Sequence, residues 1–210
     1  MFVSILGLIG AGKSTLVENL ACKSNFIPFR EPVESNPFLE LYYQDPKRWS
    51  YAMQVNLLFE RYKQSQEAFL RSISGEDTVI DSSIYSDAAF ALVQRQSNYF
   101  TDKEYLSYLN MHKVIASQTA YPDITIWLEL SPEATLERIR KRSRECESSI
   151  PIKYLSDLYE AYKVILDKVD GHTEIVRVDA RKSAEDVYKE VSNIISNYKL
   201  NNSQFNIKYS

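Results

Sequence analysis

The chain has 210 residues, 44% hydrophobic and 25% charged, with a formal net charge of −3. That length fits one domain whose core needs no staples, and the acidic balance argues against a general nucleic-acid binder. Cys22 and Cys146 lie far apart with no CxxC or histidine beside them. They read as reduced thiols of a cytosolic protein, and two histidines in all speak against a histidine triad or metal centre. No apolar run approaches the ~20 residues that span a bilayer. A first strand beginning at Phe2 leaves no room for a signal or transit peptide, so the expectation is a cytoplasmic protein without membrane contact.

In chain order, short apolar β-rich runs alternate with helical patterns, the mark of βα units around a parallel sheet. FVSILG (Phe2–Gly7) reads as a buried strand, followed by a glycine loop and a helix through about Lys23. FIPFR (Phe26–Arg30) is a second strand, ended by Glu31 and Pro32. From Asn36 to Ile73 the pattern is helical, with a break at Asp45-Pro46 where proline suits a helix start. DTVID (Asp77–Asp81) is a third strand, and Ser83–Gln96 is helical. Thr101-x-x-Glu104 is a capping box opening a helix to Thr119. ITIWLEL (Ile124–Leu130) is a fourth strand, after which Ser131 caps a helix with Pro132 at its first position. EIVRVD (Glu174–Asp179) is a fifth strand, Ser183–Tyr198 a closing helix, and NNSQFNIKYS a loose polar tail. The expected architecture is α/β: a single domain over 1–198, a five-stranded parallel sheet flanked by helices, and a tail over 199–210.

One stretch carries explicit chemistry. Gly7-Leu8-Ile9-Gly10-Ala11-Gly12-Lys13-Ser14, followed by Thr15, matches G-x-x-x-x-G-K-[ST] in full. Glycines let backbone N–H groups curl round a phosphate, and the following helix offers its positive N-terminus. Lys13 can reach the β- and γ-phosphates of ATP, and the Ser14 hydroxyl can hold Mg²⁺. The predicted strand before the loop and helix after it are the context that the motif requires. Asp81, ending the third strand, is placed for a metal contact beside the loop, and reads equally as a helix N-cap.

Arg138, Arg140, Arg142 and Arg144 gather on the helix after the fourth strand. Arg138 and Arg142 share one face, Arg140 and Arg144 another. A solvated basic face is one reading. The other is a lid over about 138–150, since phosphoryl transfer needs cations on the moving group. Glu31 ends the second strand, where ligands gather in parallel sheets, and can take a proton from an attacking hydroxyl. By itself it reads equally as a loop ion-pair residue. Tyr42, Trp49, Phe59, Tyr85 and Phe90 read as core, with Phe90 alone a candidate for stacking on a ligand.

Taken together, GLIGAGKST, REPVESNPF, LYYQDPKRW, MQVNLLFER, IDSSIYSD, WLELSPEATLERIRKRSRECE and PIKYL resemble the deoxynucleoside kinase family over roughly residues 2 to 180. The compact EPVESNP is closer to its bacterial deoxyadenosine/deoxyguanosine kinase branch. The resemblance implies a P-loop kinase fold with an arginine-rich lid and a homodimer built through helices. It implies ATP as donor with Mg²⁺, held through Ser14 and Asp81, and a deoxynucleoside as acceptor. It implies Glu31 as general base, Tyr43 and Glu147 on the 3′-hydroxyl, and Gln54 on the base. Arg138, Arg142 and Arg144 become lid arginines, and the donor adenine falls near Ala180 and Arg181.

Gln54 and Arg61 are seven apart, two helical turns, so they share a face. Arg61 and Asp87 fall where the purine- and cytosine-accepting members keep an Arg–Asp pair, leaving little room for a thymine methyl. Two surface charges are the alternative. One departure stands out: where the family has D/E-R-S, this chain has Asp81-Ser82-Ser83. The missing arginine is expected to cost transition-state charge, so Ser82→Arg should raise kcat about tenfold or more, the alternative being a pocket already compensated through Arg30. Two other readings remain. A thymidylate-kinase-like enzyme would want Arg-Glu-Pro-Gly-Gly where REPVESN stands, and a nucleotide-binding pseudokinase subunit is motivated by Ser82.

Overall fold

The computed structural model describes residues 1–31, 36–142 and 150–207, without the side chains of 142 and 203–207. The Arg144 and Glu147 expectations, and that for the Arg142 side chain, lie outside the described residues.

Five parallel strands form one sheet, ordered β2-β3-β1-β4-β5. They are β1 (Phe2–Gly7), β2 (Ile27–Phe29), β3 (Thr78–Asp81), β4 (Ile124–Glu129) and β5 (Glu174–Asp179). Register is set by pairs such as Ile5 with Asp81, Ile5 with Ile126, and Leu128 with Val178. Every β1 residue is buried because helices cover both faces, as parallel sheets require. On one face Val3 and Ile5 pack with Leu16, Val17 and Leu20 of α1 (Lys13–Ser24) and with Val187, Val191 and Ile195 of α8 (Ala184–Ile207). On the other, Leu6 and Trp127 meet Ala89 and Val93 of α4 (Ile84–Gln96) and Leu158, Tyr162 and Ile165 of α7 (Ile152–Val169).

Between β2 and β3 run α2 (Leu39–Gln44) and the long α3 (Pro46–Ile73). Asp45 caps α3 by accepting from the Arg48 N–H, with Pro46 at the first position. The capping box of α5 (Asp102–Ala116) is complete, Thr101 and Glu104 each bonding the other's backbone. In α6 (Pro132–Arg142), Ser131 Oγ accepts from the Ala134 N–H at 3.2 Å.

Several expectations need correction. β2, β4 and α5 are shorter than their apolar patterns suggested. Helix α7 was not anticipated, although its buried stripe, Leu155, Leu158, Ala161, Tyr162, Ile165, Leu166 and Val169, has helical spacing. The stretch expected as a loose tail is helical through Ile207. There Lys199 pairs with Asp77 and lies 5.5 Å from the Phe26 ring centroid, tying the extra turns to the sheet edge. Phe59, expected in the core, is 53% exposed. No helix among the described residues is long and apolar enough to cross a membrane.

Candidate active site

The strand C-termini open onto one cavity of about 720 Å³, bordered at one end by residues 9–15 and at the other by Gln54, Arg61 and Phe90. This is where an open parallel sheet places ligands, beside the point at which the strand order reverses around β1.

The donor end is built by the glycine loop between β1 and α1. Gly10 and Gly12 hold φ of 83° and 103°, a left-handed conformation that suits glycine. A Cβ on Gly10 would stand 3.1 Å from Ile139 Cγ1, so α6 packs directly on the loop. Ala11 N–H donates to Leu8 O at 3.0 Å, closing the turn. Lys13 is largely buried, its Nζ donating to Leu8 O at 3.3 Å, and it lines the cavity. Arg138 crosses from α6 to donate to Ala11 O at 3.2 Å and to Ala180 O beyond β5. It thereby joins the loop to the expected adenine end. Arg140 is on the exposed face of the same helix. Ala180, Lys182 and Val187 line the cavity, whereas the Arg181 side chain turns outward to chelate Asp179 at 2.7–3.1 Å.

Ser14 Oγ donates to Asp81 Oδ2 at 2.7 Å. The N-cap alternative for Asp81 fails, because α4 is capped by Ser83 and receives no side-chain capping bond. Burial pushes the Asp81 carboxyl up and Glu31 adds to this, against the pull of Lys13 and the Ser14 bond. A carboxylate and a hydroxyl so placed are hard oxygen donors. Mg²⁺ commonly takes one or two such protein ligands and completes its shell with phosphate and water. The pair fits that ion.

The acceptor end is a charged cluster inside the helices. Arg61, 1% exposed, gives Nη1 to Asp87 Oδ1 and Nη2 to Glu31 Oε1, with side-chain exposures of 0% for Asp87 and 23% for Glu31. Gln54 Nε2 donates to Asp87 Oδ2 at 2.8 Å, and Tyr108 OH donates to the same oxygen at 2.5 Å. Burial alone would pull the Arg61 guanidinium down, but Asp87 and Glu31 hold it above its ordinary value. The Tyr108 phenol is pushed well up, first by burial and then by Asp87. The surface-charge alternative for Arg61 and Asp87 is therefore excluded by burial. Arg61 also lies over the Phe90 ring, 5.4 Å from its centroid. Phe90 borders the cavity, and Tyr43 stands at its rim, 43% exposed.

Tyr108 escaped the sequence reading: nothing in its neighbourhood marks it apart from a helical stripe. Tyr154 also borders the cavity, on the unanticipated α7. Arg30, next to Glu31 in sequence, also borders the cavity, and its guanidinium pairs with Glu18 at 2.6 Å.

A model of the deoxynucleoside kinase family matches residues 3–199. Deoxyadenosine kinase of Dictyostelium discoideum is 34% identical over 84% of this chain and 71% of its own length. Deoxyguanosine kinase of Bacillus subtilis is 31% identical over 85% of this chain and 86% of its own. The structure of deoxyadenosine kinase from M. mycoides with the products dCMP and a flexible dCDP bound superposes with a TM-score of 0.83. It is 28% identical, covering 94% of this chain and all of that one. The glycine loop, the five-stranded parallel sheet and these matches agree, and the chain belongs to the deoxynucleoside kinase family of enzymes.

Proposed function

We propose that this enzyme transfers the γ-phosphoryl group of ATP to the 5′-hydroxyl of a deoxynucleoside, accepting a purine deoxynucleoside or deoxycytidine ahead of thymidine. One observation carries the reading: a single cavity joins the glycine loop at one end to the Gln54–Arg61–Asp87 cluster at the other. The names of the relatives support the acceptor class, as does the dCMP bound in the M. mycoides enzyme. Membership of the kinase family speaks against the pseudokinase alternative, and the thymidylate-kinase-like alternative is disfavoured because the Arg61 guanidinium is already divided between Asp87 and Glu31.

In this reading the Glu31 carboxylate takes the 5′-hydroxyl proton as the oxygen attacks. Lys13 and the lid arginines Arg138, Arg142 and Arg144 neutralise charge on the phosphoryl oxygens. Ser14 and Asp81 would hold Mg²⁺, which would supply charge neutralisation at the donor phosphates. Gln54, Arg61 and Asp87 read the base with Phe90 beside it, and Tyr43 with Glu147 holds the 3′-hydroxyl. Backbone at Ala180 and Arg181 borders the adenine. The enzyme works in the cytosol as a homodimer. Exposed Phe59, Leu70 and Ile73 on α3, with Leu106 and Val114 on the adjoining α5, suit a helix-to-helix interface.

The test is turnover with ATP and Mg²⁺ against deoxyadenosine, deoxyguanosine, deoxycytidine and thymidine, with the product identified as a 5′-monophosphate. A higher kcat/KM for any of the first three supports the assignment. Thymidine preference, or no transfer to any of them, overturns it.

A further inference from the structure

The two carboxylates that meet at Arg61 belong to one series of contacts. Tyr108 and Gln54 fix Asp87 Oδ2, and Asp87 Oδ1 fixes one arm of Arg61. The other arm, Nη2, holds Glu31 Oε1. Glu31 Oε2 carries no hydrogen bond among the described residues, so one carboxylate oxygen is restrained and the other is available. Glu31 stands just past β2, a strand of only three residues, and gains little orientation from its own backbone. Arg61 stands in the middle of the 28-residue α3 with its fork preorganised. Among the described residues it is the cation paired with Glu31, since Arg30 is taken by Glu18 and Ser82 Oγ reaches only Asp81, at 3.4 Å.

The charge balance is also specific. One guanidinium is divided between two carboxylates, leaving the trio with a net charge of −1. The shared guanidinium orients Glu31 through Oε1 while its other arm is committed to Asp87. The geometry points to Arg61 as the positioning residue for Glu31, so that the side chain assigned to base reading also aims the general base. This rests on the proposed role of Glu31.

The test is a double-mutant cycle in kcat at saturating acceptor, using Arg61→Met, Glu31→Gln and the pair, with deoxyadenosine, deoxyguanosine and deoxycytidine. If Arg61 acts through Glu31, Arg61→Met lowers kcat by about tenfold or more, by a common factor for all three acceptors, beside any base-dependent change in KM. In the Glu31→Gln background the same substitution then costs less than about twofold. A base reader alone, or a merely structural residue, gives losses that follow the base or that multiply in full in the double variant, and either result overturns the inference. Should Arg61→Met fail to fold because Asp87 is left unpaired, Arg61→Met/Asp87→Asn removes that buried charge and is run through the same cycle. Glu31→Gln with undiminished kcat defeats instead the assignment of Glu31 as base, which keeps the two failures distinct.

Discussion

Ser14 Oγ and Asp81 Oδ2 lie 2.7 Å apart, which places a hydroxyl at the start of α1 against a carboxylate at the end of β3 across the mouth of the glycine loop. That carboxylate is kept in an unfavourable setting, buried, beside Glu31, and pushed up in its titration. A carboxyl whose folded value is raised contributes full stability below the ordinary carboxylate range. It loses that contribution as pH climbs through the raised value. Asp81→Asn should therefore stabilise the nucleotide-free protein at neutral pH by about 1 kcal/mol, with the advantage fading below about pH 4. The same change should cut Mg²⁺-dependent turnover by ~10²-fold or more. Melting temperature against pH, beside kcat, checks both. A variant less stable at neutral pH than the parent contradicts the account.

Lys13 lines the cavity and makes one long bond, 3.3 Å, to Leu8 O in the loop itself. Losing that bond costs the fold on the order of 1 kcal/mol. Losing the charge removes a cation from the γ-phosphoryl group, where preorganised charge is worth ~10²–10³ in kcat. Lys13→Ala should melt within a few degrees of the parent yet be nearly inactive. Near-normal turnover would show that the phosphate end has been misplaced.

In the proposed reading, acceptor preference follows from Arg61, which lines the cavity and is held from behind by the buried Asp87. Replacing both with small apolar residues, Arg61→Val/Asp87→Ala, removes the fully buried carboxylate together with its cation, whose separate loss would cost about 3–5 kcal/mol, and leaves unpaired only the partly exposed Glu31. The ratio of kcat/KM for thymidine to that for deoxycytidine should rise by ~tenfold or more. Because it is a ratio, any common loss of kcat from a misaimed Glu31 cancels. An unchanged ratio in a folded variant removes the pair from selectivity.

Tyr108 supplies the second donor to Asp87 Oδ2, at 2.5 Å. Burial and Asp87 hold its phenol protonated far beyond neutral pH. Tyr108→Phe keeps the packing and deletes one hydrogen bond, so the melting point should fall by an amount worth ~1 kcal/mol. Gln54 still holds Asp87, and KM for purine acceptors should rise by a few-fold with kcat changing less. A larger fall in kcat than rise in KM would count against a role confined to holding the base wall.

Much of this was legible in the sequence, for physical reasons. The five strands announce themselves because a sheet covered on both faces demands continuous apolar runs, as in β1 and β4. The glycine loop is legible because its chemistry is local: phosphate, backbone N–H and Lys13 lie within eight residues. Gln54 and Arg61 were legible as a pair because helical periodicity alone puts them on one face. What Arg61 does there was not. Its carboxylates come from the segment just past β2 and from α4, thirty and twenty-six residues away, and only packing decides that it is buried and not a surface charge. Tyr108 is hidden for the same reason, being a long-range partner on an ordinary helical stripe. Helix α7 is marked only by its 155–158–161–162–165 spacing, with no local chemistry beside it to single it out.

The serine at 82 is the last point at which sequence and structure differ in emphasis. Read from the chain alone, it marks a missing cation, and an arginine there should accelerate the enzyme. The structure puts a cation on Glu31 by another route, through Arg61, and buries Ser82 completely at φ 68° with its N–H donating to Ile5 O at 3.1 Å. The arginine that the family resemblance implies at 82 would brace Glu31, which here is already paired with Arg61. Ser82→Arg should change kcat by no more than about twofold in the otherwise natural chain. In an Arg61→Met background, where Glu31 has lost its partner, it should restore part of the lost kcat while leaving base selectivity degraded. Steady-state kinetics on the two single variants and the double variant measures both effects. A tenfold rise in kcat from Ser82→Arg alone would mean that Arg61 does not supply what position 82 lacks, and that the charge around the transferring group is still one short.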